Sequence, residues 1–302
     1  MHDGHWLVAD FEPAFSRLLA CEGFQCCLRR YFLYMVGDMQ RFLWCLCSLG
    51  FWSTAGRLEA QAPSSAPTIL ERTARLHPMR YFLSLPEGWN PQRTWPVVVV
   101  VPDAFREFQE TAKEFSDARG SLPFVIVVPL VLSGGGTAQQ HKTDFDYSDS
   151  AWSLATKAGN CRFDEDGLTA VLKEVRALYN TDSQFFITGW EAGAHVAIAQ
   201  LFQHPGRIRA VAVVTPNFIG RCVTPPTSGL ADQESVIPVR VFHGENDPVW
   251  TKGNPLFATW PRLDSAARSR GFRNVRDTLV KNGGHGPLAA ETLNYFGSFL
   301  NR

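Results

Sequence analysis

Apolar runs and amphipathic stretches take turns along the chain from residue 80 to its end. Residues 80–85 read as a strand, with Pro86-Glu87-Gly88 as the turn after it. Residues 96–101, a proline followed by five valines, carry no polar alternation, which is the pattern of a central strand covered on both faces of a largely parallel sheet. Residues 107–118 suit a helix and 124–128 the next strand. Residues 132–152, with Gly134, Gly135, Gly136 and several aspartates, have no period and read as a long loop. Residues 164–179 put Leu168, Val171, Leu172, Val175 and Leu178 on one helical face. The acidic run Asp164-Glu165-Asp166 stands at the expected start, where the helix dipole favours negative charge. Strands are expected at 210–214, 239–242 and 276–280, and helices at 263–269 and 288–300, the last with Pro287 in its first turn. The alternation predicts an α/β fold, a doubly wound and mostly parallel sheet in one domain over residues 63–302. Sites in such sheets lie beyond the carboxyl ends of the strands.

The centre of the pattern is residues 184–195. A strand-forming run, Phe185-Phe186-Ile187-Thr188, stops at Gly189, turns within three residues and continues as a helix former from Ala192 to Gln203. This is the outline of a nucleophile elbow, whose Gly-x-Ser-x-Gly frame lets a tight turn push one side chain out above the sheet beside backbone amides. Here the frame reads Gly189-Trp190-Glu191-Ala192-Gly193, with a glutamate where the serine belongs.

Composition narrows the field only modestly. Lys plus Arg equals Asp plus Glu at 29 each, so no excess charge points to nucleic acid. Of the seven cysteines, Cys21, Cys26, Cys27, Cys45 and Cys47 come early, and none has the paired spacing of a zinc site. No cofactor or metal is expected. Starting at Met39, a basic start, the apolar run of residues 42–52 and the ending Ala60-Gln61-Ala62 make the three-part pattern of a signal peptide, 39–62. The run is too short for a stable membrane span, which needs about twenty apolar residues. Residues 1–38 then read as a mis-assigned or disordered extension, and the mature chain as exported, either extracellular or periplasmic. A buried or anchoring N-terminal helix is the competing reading. In an exported chain the two remaining cysteines, Cys161 and Cys222, are candidates for a disulfide, with two separate buried thiols as the alternative.

Three strand ends carry polar residues in a telling order: Glu191, then His243-Gly244-Glu245-Asn246-Asp247-Pro248, then Gly283-Gly284-His285-Gly286-Pro287. Nucleophile position, acid and histidine in that order resemble the α/β-hydrolase superfamily. Within it, the chain looks most like secreted polyhydroxyalkanoate depolymerases and feruloyl esterases. The resemblance lies in Tyr179-Asn180-Thr181-Asp182 before the elbow strand, His204-Pro205-Gly206-Arg207-Ile208 after the elbow helix, and residues 238–247. It implies Asp247 as the acid, His285 as the base and the Ala192 amide as half of an oxyanion hole. The other half would come from Ala104 or Phe105. Relatives usually show His-Gly after the first central strand, whereas this chain has Pro102-Asp103. Proline offers no N–H, and an aspartate there would repel a developing oxyanion. Bulky Trp190 is a further departure.

A carboxylate already ionised at neutral pH is a weak nucleophile toward esters, so Glu191 removes serine-type acyl transfer. The preferred reading is a degenerate hydrolase whose old cleft binds an ester- or glycan-like ligand. Glu191 is expected near the N-terminus of the elbow helix and within reach of His285. The alternatives are an active enzyme using Glu191 as a carboxylate nucleophile toward halides or epoxides, or a serine hydrolase whose nucleophile is Ser148, Ser150 or Ser153.

Overall fold

A computed structural model describes residues 68–136, 138–224 and 229–300. The extension and signal-peptide segments read from residues 1–62 lie outside the described residues, as do the five early cysteines. The described residues belong to one unit, Pro63–Arg302, built on an eight-stranded sheet. Its strands are β1 (Ile69–Thr73), β2 (Arg80–Ser84), β3 (Trp95–Val101), β4 (Val125–Pro129), β5 (Thr181–Trp190), β6 (Ile208–Val214), β7 (Val239–Gly244) and β8 (Val275–Val280). They lie in the order β1-β2-β4-β3-β5-β6-β7-β8. β1 and β2 pair antiparallel with their neighbours, and every pairing from β4 to β8 is parallel.

The unalternated valines explain the centre. All seven residues of β3 are buried, because a strand with helices on both faces leaves no side for water. β5 lies between β3 and β6, with Gly189 level with Val101 on one side and Val213 on the other. The elbow therefore rises from the middle of the sheet.

The helices are α1 (Phe108–Ala118), α2 (Asp149–Ala158), α3 (Asn160–Tyr179), α4 (Ala194–Gln203), α5 (Asp232–Ser235), α6 (Thr259–Ser269) and α7 (Ala289–Gly297). Several differ from the sequence expectation. The stretch 132–152 is not all loop: a 3₁₀ segment covers Ala138–Asp144, and α2 starts at Asp149. Ser148 is the N-cap of α2, accepting the Ala151 amide at 3.3 Å, a structural task for one of the three candidate serines. α3 begins at Asn160, so Asp164 is not a first-turn acid. It is buried and accepts the Leu132 amide, the Ser133 amide and the Ser133 hydroxyl at 2.7, 2.7 and 2.5 Å. Burial pushes its pKa up to about 7, against the pull of those bonds. α7 begins at Ala289 behind Leu288, whose φ is +46°, so Pro287 precedes the helix instead of opening it. Edge strand β1 and short α5 were not anticipated. No helix among the described residues is long and apolar enough to cross a membrane.

Candidate active site

The elbow closes because two backbones come into contact. A Cβ on Gly193 would lie 2.3 Å from the Val101 carbonyl oxygen and 2.4 Å from that of Pro102. Only glycine lets the turn dock on the end of β3. Between Trp190 and Gly193 the chain makes a single 3₁₀ turn, and Glu191 takes a left-handed φ of +48°. Such a conformation costs a non-glycine residue on the order of 1 kcal/mol or more, and it persists where the surroundings over-determine it. Asn217, three residues beyond β6, supplies part of that constraint. Its amide N–H donates to the Glu191 carbonyl at 3.0 Å and its side-chain Nδ2 to Glu191 Oε1 at 3.3 Å.

The structure places Asp247 and His285 together. Gly244 and the Gly283-Gly284 pair approach so closely that a Cβ on Gly244 would sit 2.4 Å from the Gly283 carbonyl oxygen. This brings the loops after β7 and β8 into register. His285 Nδ1–H donates to Asp247 Oδ1 at 3.0 Å and Oδ2 at 3.1 Å. The Asp247 side chain is fully buried and also accepts the Thr215 hydroxyl at 2.7 Å and the Val249 amide at 2.9 Å. A carboxylate satisfied on both oxygens fixes the imidazole's tautomer and orientation and leaves Nε2 free to take a proton. The His285 side chain is 30% exposed, enough to meet a ligand from solution.

The other half of the cleft differs. Glu191 and His285 form no hydrogen bond or ion pair among the described residues. The contact expected between them is replaced by Asn217 on the glutamate and by the edge of the Trp190 ring, whose centroid lies 5.3 Å from that of the imidazole. Asp103 is buried at the end of β3, and its Oδ1 accepts the Phe105 amide at 3.1 Å. The Phe105 amide, one of the two candidate oxyanion donors, is therefore engaged by a carboxylate, while its side chain stands exposed to solvent. Ala104, the other candidate, uses its carbonyl to accept from Arg106 Nη1 at 2.8 Å. Ala192 is buried directly behind Glu191, at the position the elbow frame assigns to the first oxyanion donor.

Burial is the main reason Asp103 has its pKa pushed up to about 6. The Phe105 amide opposes the shift, the charges of Glu191 and Glu107 add to it, and His285 opposes it. The Glu191 charge thus reaches Asp103. Arg106, three residues beyond Asp103, has a φ of +62° and a side chain only 3% exposed. Its Nε and Nη2 have no protein partner, nor has the buried Nε1 of Trp190. Burial lowers the Arg106 pKa, partly offset by Asp144 and Asp103.

Cys161, in the first turn of α3, and Cys222, in the loop after β6, are joined by a disulfide with Cα atoms 5.3 Å apart. Among the described residues no group of three His, Cys, Asp or Glu side chains is placed to hold a metal. Ser150 bonds to Ser148 at the head of α2, and Ser153 lies exposed on the same helix. Neither serine joins the cleft's hydrogen bonds. Asn217, Thr215 and Arg106 were missed from the sequence. The available signal was that Thr215 and Asn217 follow a buried strand at the edge of the sheet where sites form.

A mostly parallel sheet with an elbow at its centre and an Asp–His pair on the last two strand-end loops defines a protein of the α/β-hydrolase fold. The chain belongs to the dienelactone hydrolase family, which it matches over residues 82–263. The comparison with curated proteins returns no match. Among solved structures, the chain is similar to LpqC, a poly(3-hydroxybutyrate) depolymerase from Bordetella parapertussis. The identity is 18%, with 78% of this chain and 90% of that one covered, at a TM-score of 0.50. It is also similar to the S-formylglutathione hydrolase FrmB from Staphylococcus aureus, at 11% identity over 78% and 96% of the two chains and a TM-score of 0.50. At these identities the likeness is one of fold.

Proposed function

We propose that this member of the dienelactone hydrolase family is a ligand-binding relative of the esterases and depolymerases that has lost serine-type hydrolysis. The observation that carries the reading is the anionic pair Glu191 and Asp103. One stands at the nucleophile position, and the other directly precedes the candidate second oxyanion donors and accepts the Phe105 amide. Ester hydrolysis builds negative charge on the carbonyl oxygen, and carboxylates beside the elbow raise that barrier instead of lowering it. The Asp247–His285 pair faces an elbow that carries no serine; of the candidate serines, Ser148 caps α2, Ser150 bonds to Ser148 and Ser153 is exposed on the helix.

The ligand is an ester- or glycan-like molecule, small or polymeric, held in the former substrate cleft. Similarity in fold to a poly(3-hydroxybutyrate) depolymerase makes polyester fragments the first ligands to try. Export, inferred from the signal-like pattern after Met39, fits a chain that carries a disulfide between Cys161 and Cys222, since such bridges persist in oxidising compartments. The test is Glu191→Ser beside wild type, assayed on short aryl esters. A gain of turnover in the variant over an inactive wild type supports a cleft disabled mainly at one position.

The preserved Asp247–His285 pair favours one second reading. In it, Glu191 attacks an alkyl halide or epoxide carbon, and water activated by His285 cleaves the resulting ester. A mass increase on the Glu191 peptide after incubation with a haloalkane or an epoxide would establish it. An unmodified peptide with both electrophiles would exclude it.

A further inference from the structure

The segment between β6 and Cys222 carries a partner for each end of the cleft. Thr215 donates to Asp247, and Asn217 donates twice to Glu191. Its backbone is not relaxed: Thr215 has φ +40° and Cys222 φ +59°. Left-handed conformations are unfavourable for a β-branched threonine and for cysteine, and they persist only where the surroundings hold them. Its near end is held by the Thr215 amide on the Phe242 carbonyl at 2.8 Å, by the Thr259 hydroxyl on the Pro216 carbonyl and by buried Phe218, and a second set of contacts holds its far end. Arg221 Nη1 donates to the Ser133 carbonyl at 3.1 Å and to the Gly135 carbonyl, and Gln203 donates to the Cys222 carbonyl. Cys222 is covalently bound to Cys161 on α3. Three residues on, the same helix presents Asp164, which clamps Leu132 and Ser133. Helix α3, the loop after β4 and the loop after β6 are thereby tied into one closed bracket.

We infer that the Cys161–Cys222 disulfide is a redox-sensitive positioning element for the cleft, holding the 215–222 segment so that Asn217 and Thr215 keep Glu191 and Asp247 in place. This stands on the geometry of the bracket and holds whichever chemistry the cleft performs. Cys161 is exposed and Cys222 half-buried. Cys161 and Arg221 border a hollow of about 540 Å³, through which a small dithiol can approach the bridge from the Cys161 side. One thiolate of the dithiol attacks a bridge sulfur, and the other sulfur leaves and takes up a proton. The second thiol then closes the reductant into its own disulfide and frees the remaining cysteine, so that two electrons and two protons pass to the protein. What remains at the far end is a few partly exposed hydrogen bonds, each a modest net contribution, against the left-handed backbone of Cys222.

The experiment is hydrogen–deuterium exchange on the full chain before and after dithiothreitol, with peptide mapping of the 161–222 bridge in both samples. Reduction is expected to speed exchange across 215–222 by about tenfold or more, including the Asn217 amide, while the amides of β3 keep their protection. A Cys161→Ala/Cys222→Ala double variant should show the same fast segment without reductant. The imidazole resonances of His285 should shift on reduction, which a bridge serving only overall stability would not produce. Three results would overturn the inference: no bridged peptide in the unreduced protein, unchanged exchange over 215–222 after confirmed reduction, or equal acceleration in β3.

Discussion

On one side of the cleft, the loops after β6, β7 and β8 bring Thr215, Asp247 and His285 into a sequence of donors and acceptors in which both oxygens of a buried carboxylate are satisfied. On the other side, the ends of β3 and β5 bring together Asp103 and Glu191, whose charge reaches Asp103, with the unpartnered nitrogens of Arg106 and Trp190 nearby. Both sides are closed by the same device, a glycine against a backbone carbonyl. They differ in what they can do. The first retains the parts of a proton relay, whereas the second has an anion in place of the hydroxyl and another that engages the Phe105 amide. The cleft thus keeps the architecture of the fold on both sides while the groups it presents differ between its halves.

The most damaging way to probe the comparison is through the shared device. Gly193→Ala forces a methyl group against the Val101 and Pro102 carbonyls, and a stability loss of about 3 kcal/mol is expected in chemical denaturation. Gly244→Ala should cost a similar amount on the relay side. If either variant unfolds like wild type, the close approach is not a constraint. Asp247→Ala comes next. It strands the Thr215 hydroxyl and the Val249 amide in a buried place, for a loss of roughly 2 kcal/mol. A neutral outcome would mean that the relay side is less rigid than its hydrogen bonds imply.

Asp103 gives the test that separates the halves by sign. In the folded protein its carboxyl holds a proton up to about pH 6, against 3.8 for the ordinary group. Between those values the folded state binds more protons than the unfolded one, so stability is highest below the window and falls as pH rises through it. Asp103→Asn keeps an oxygen for the Phe105 amide and removes the charge. It should raise stability at pH 7.5 by on the order of 2 kcal/mol and leave it nearly unchanged at pH 4. An equal effect at both pH values would contradict an ionised, poorly solvated Asp103. The smallest effect belongs to Glu191→Gly. Relief of the left-handed backbone outweighs the loss of the Asn217 contact by about 1 kcal/mol or less, read as a small rise in melting temperature.

The sheet was legible because its signal is local and redundant. Five consecutive valines cannot face water, and although two glycines four apart recur often, Gly189 and Gly193 between a strand former and a helix former gained meaning from the acid and histidine that follow in order. Asp247 and His285 were legible as an ordered set, although each alone is an ordinary loop residue. Helix α2 was obscured by the triple glycine before it and by a mixed composition, even though its Ser148 cap was visible. The acidic run of α3 misled, because Asp164 serves a neighbouring loop and not the helix end. Asn217 and Arg106 were beyond reach for a different reason. Their roles depend on a backbone bent into left-handed conformations at Thr215 and Arg106, and no residue there is a glycine that would announce it.

An elbow carrying Glu191 should not hydrolyse esters. The most direct test compares purified wild-type protein with Glu191→Ala on p-nitrophenyl acetate and butyrate across pH 6–8. The expected result is two proteins with the same rate, no faster than an unrelated folded control. Wild-type turnover that disappears when the carboxylate is removed would contradict the account.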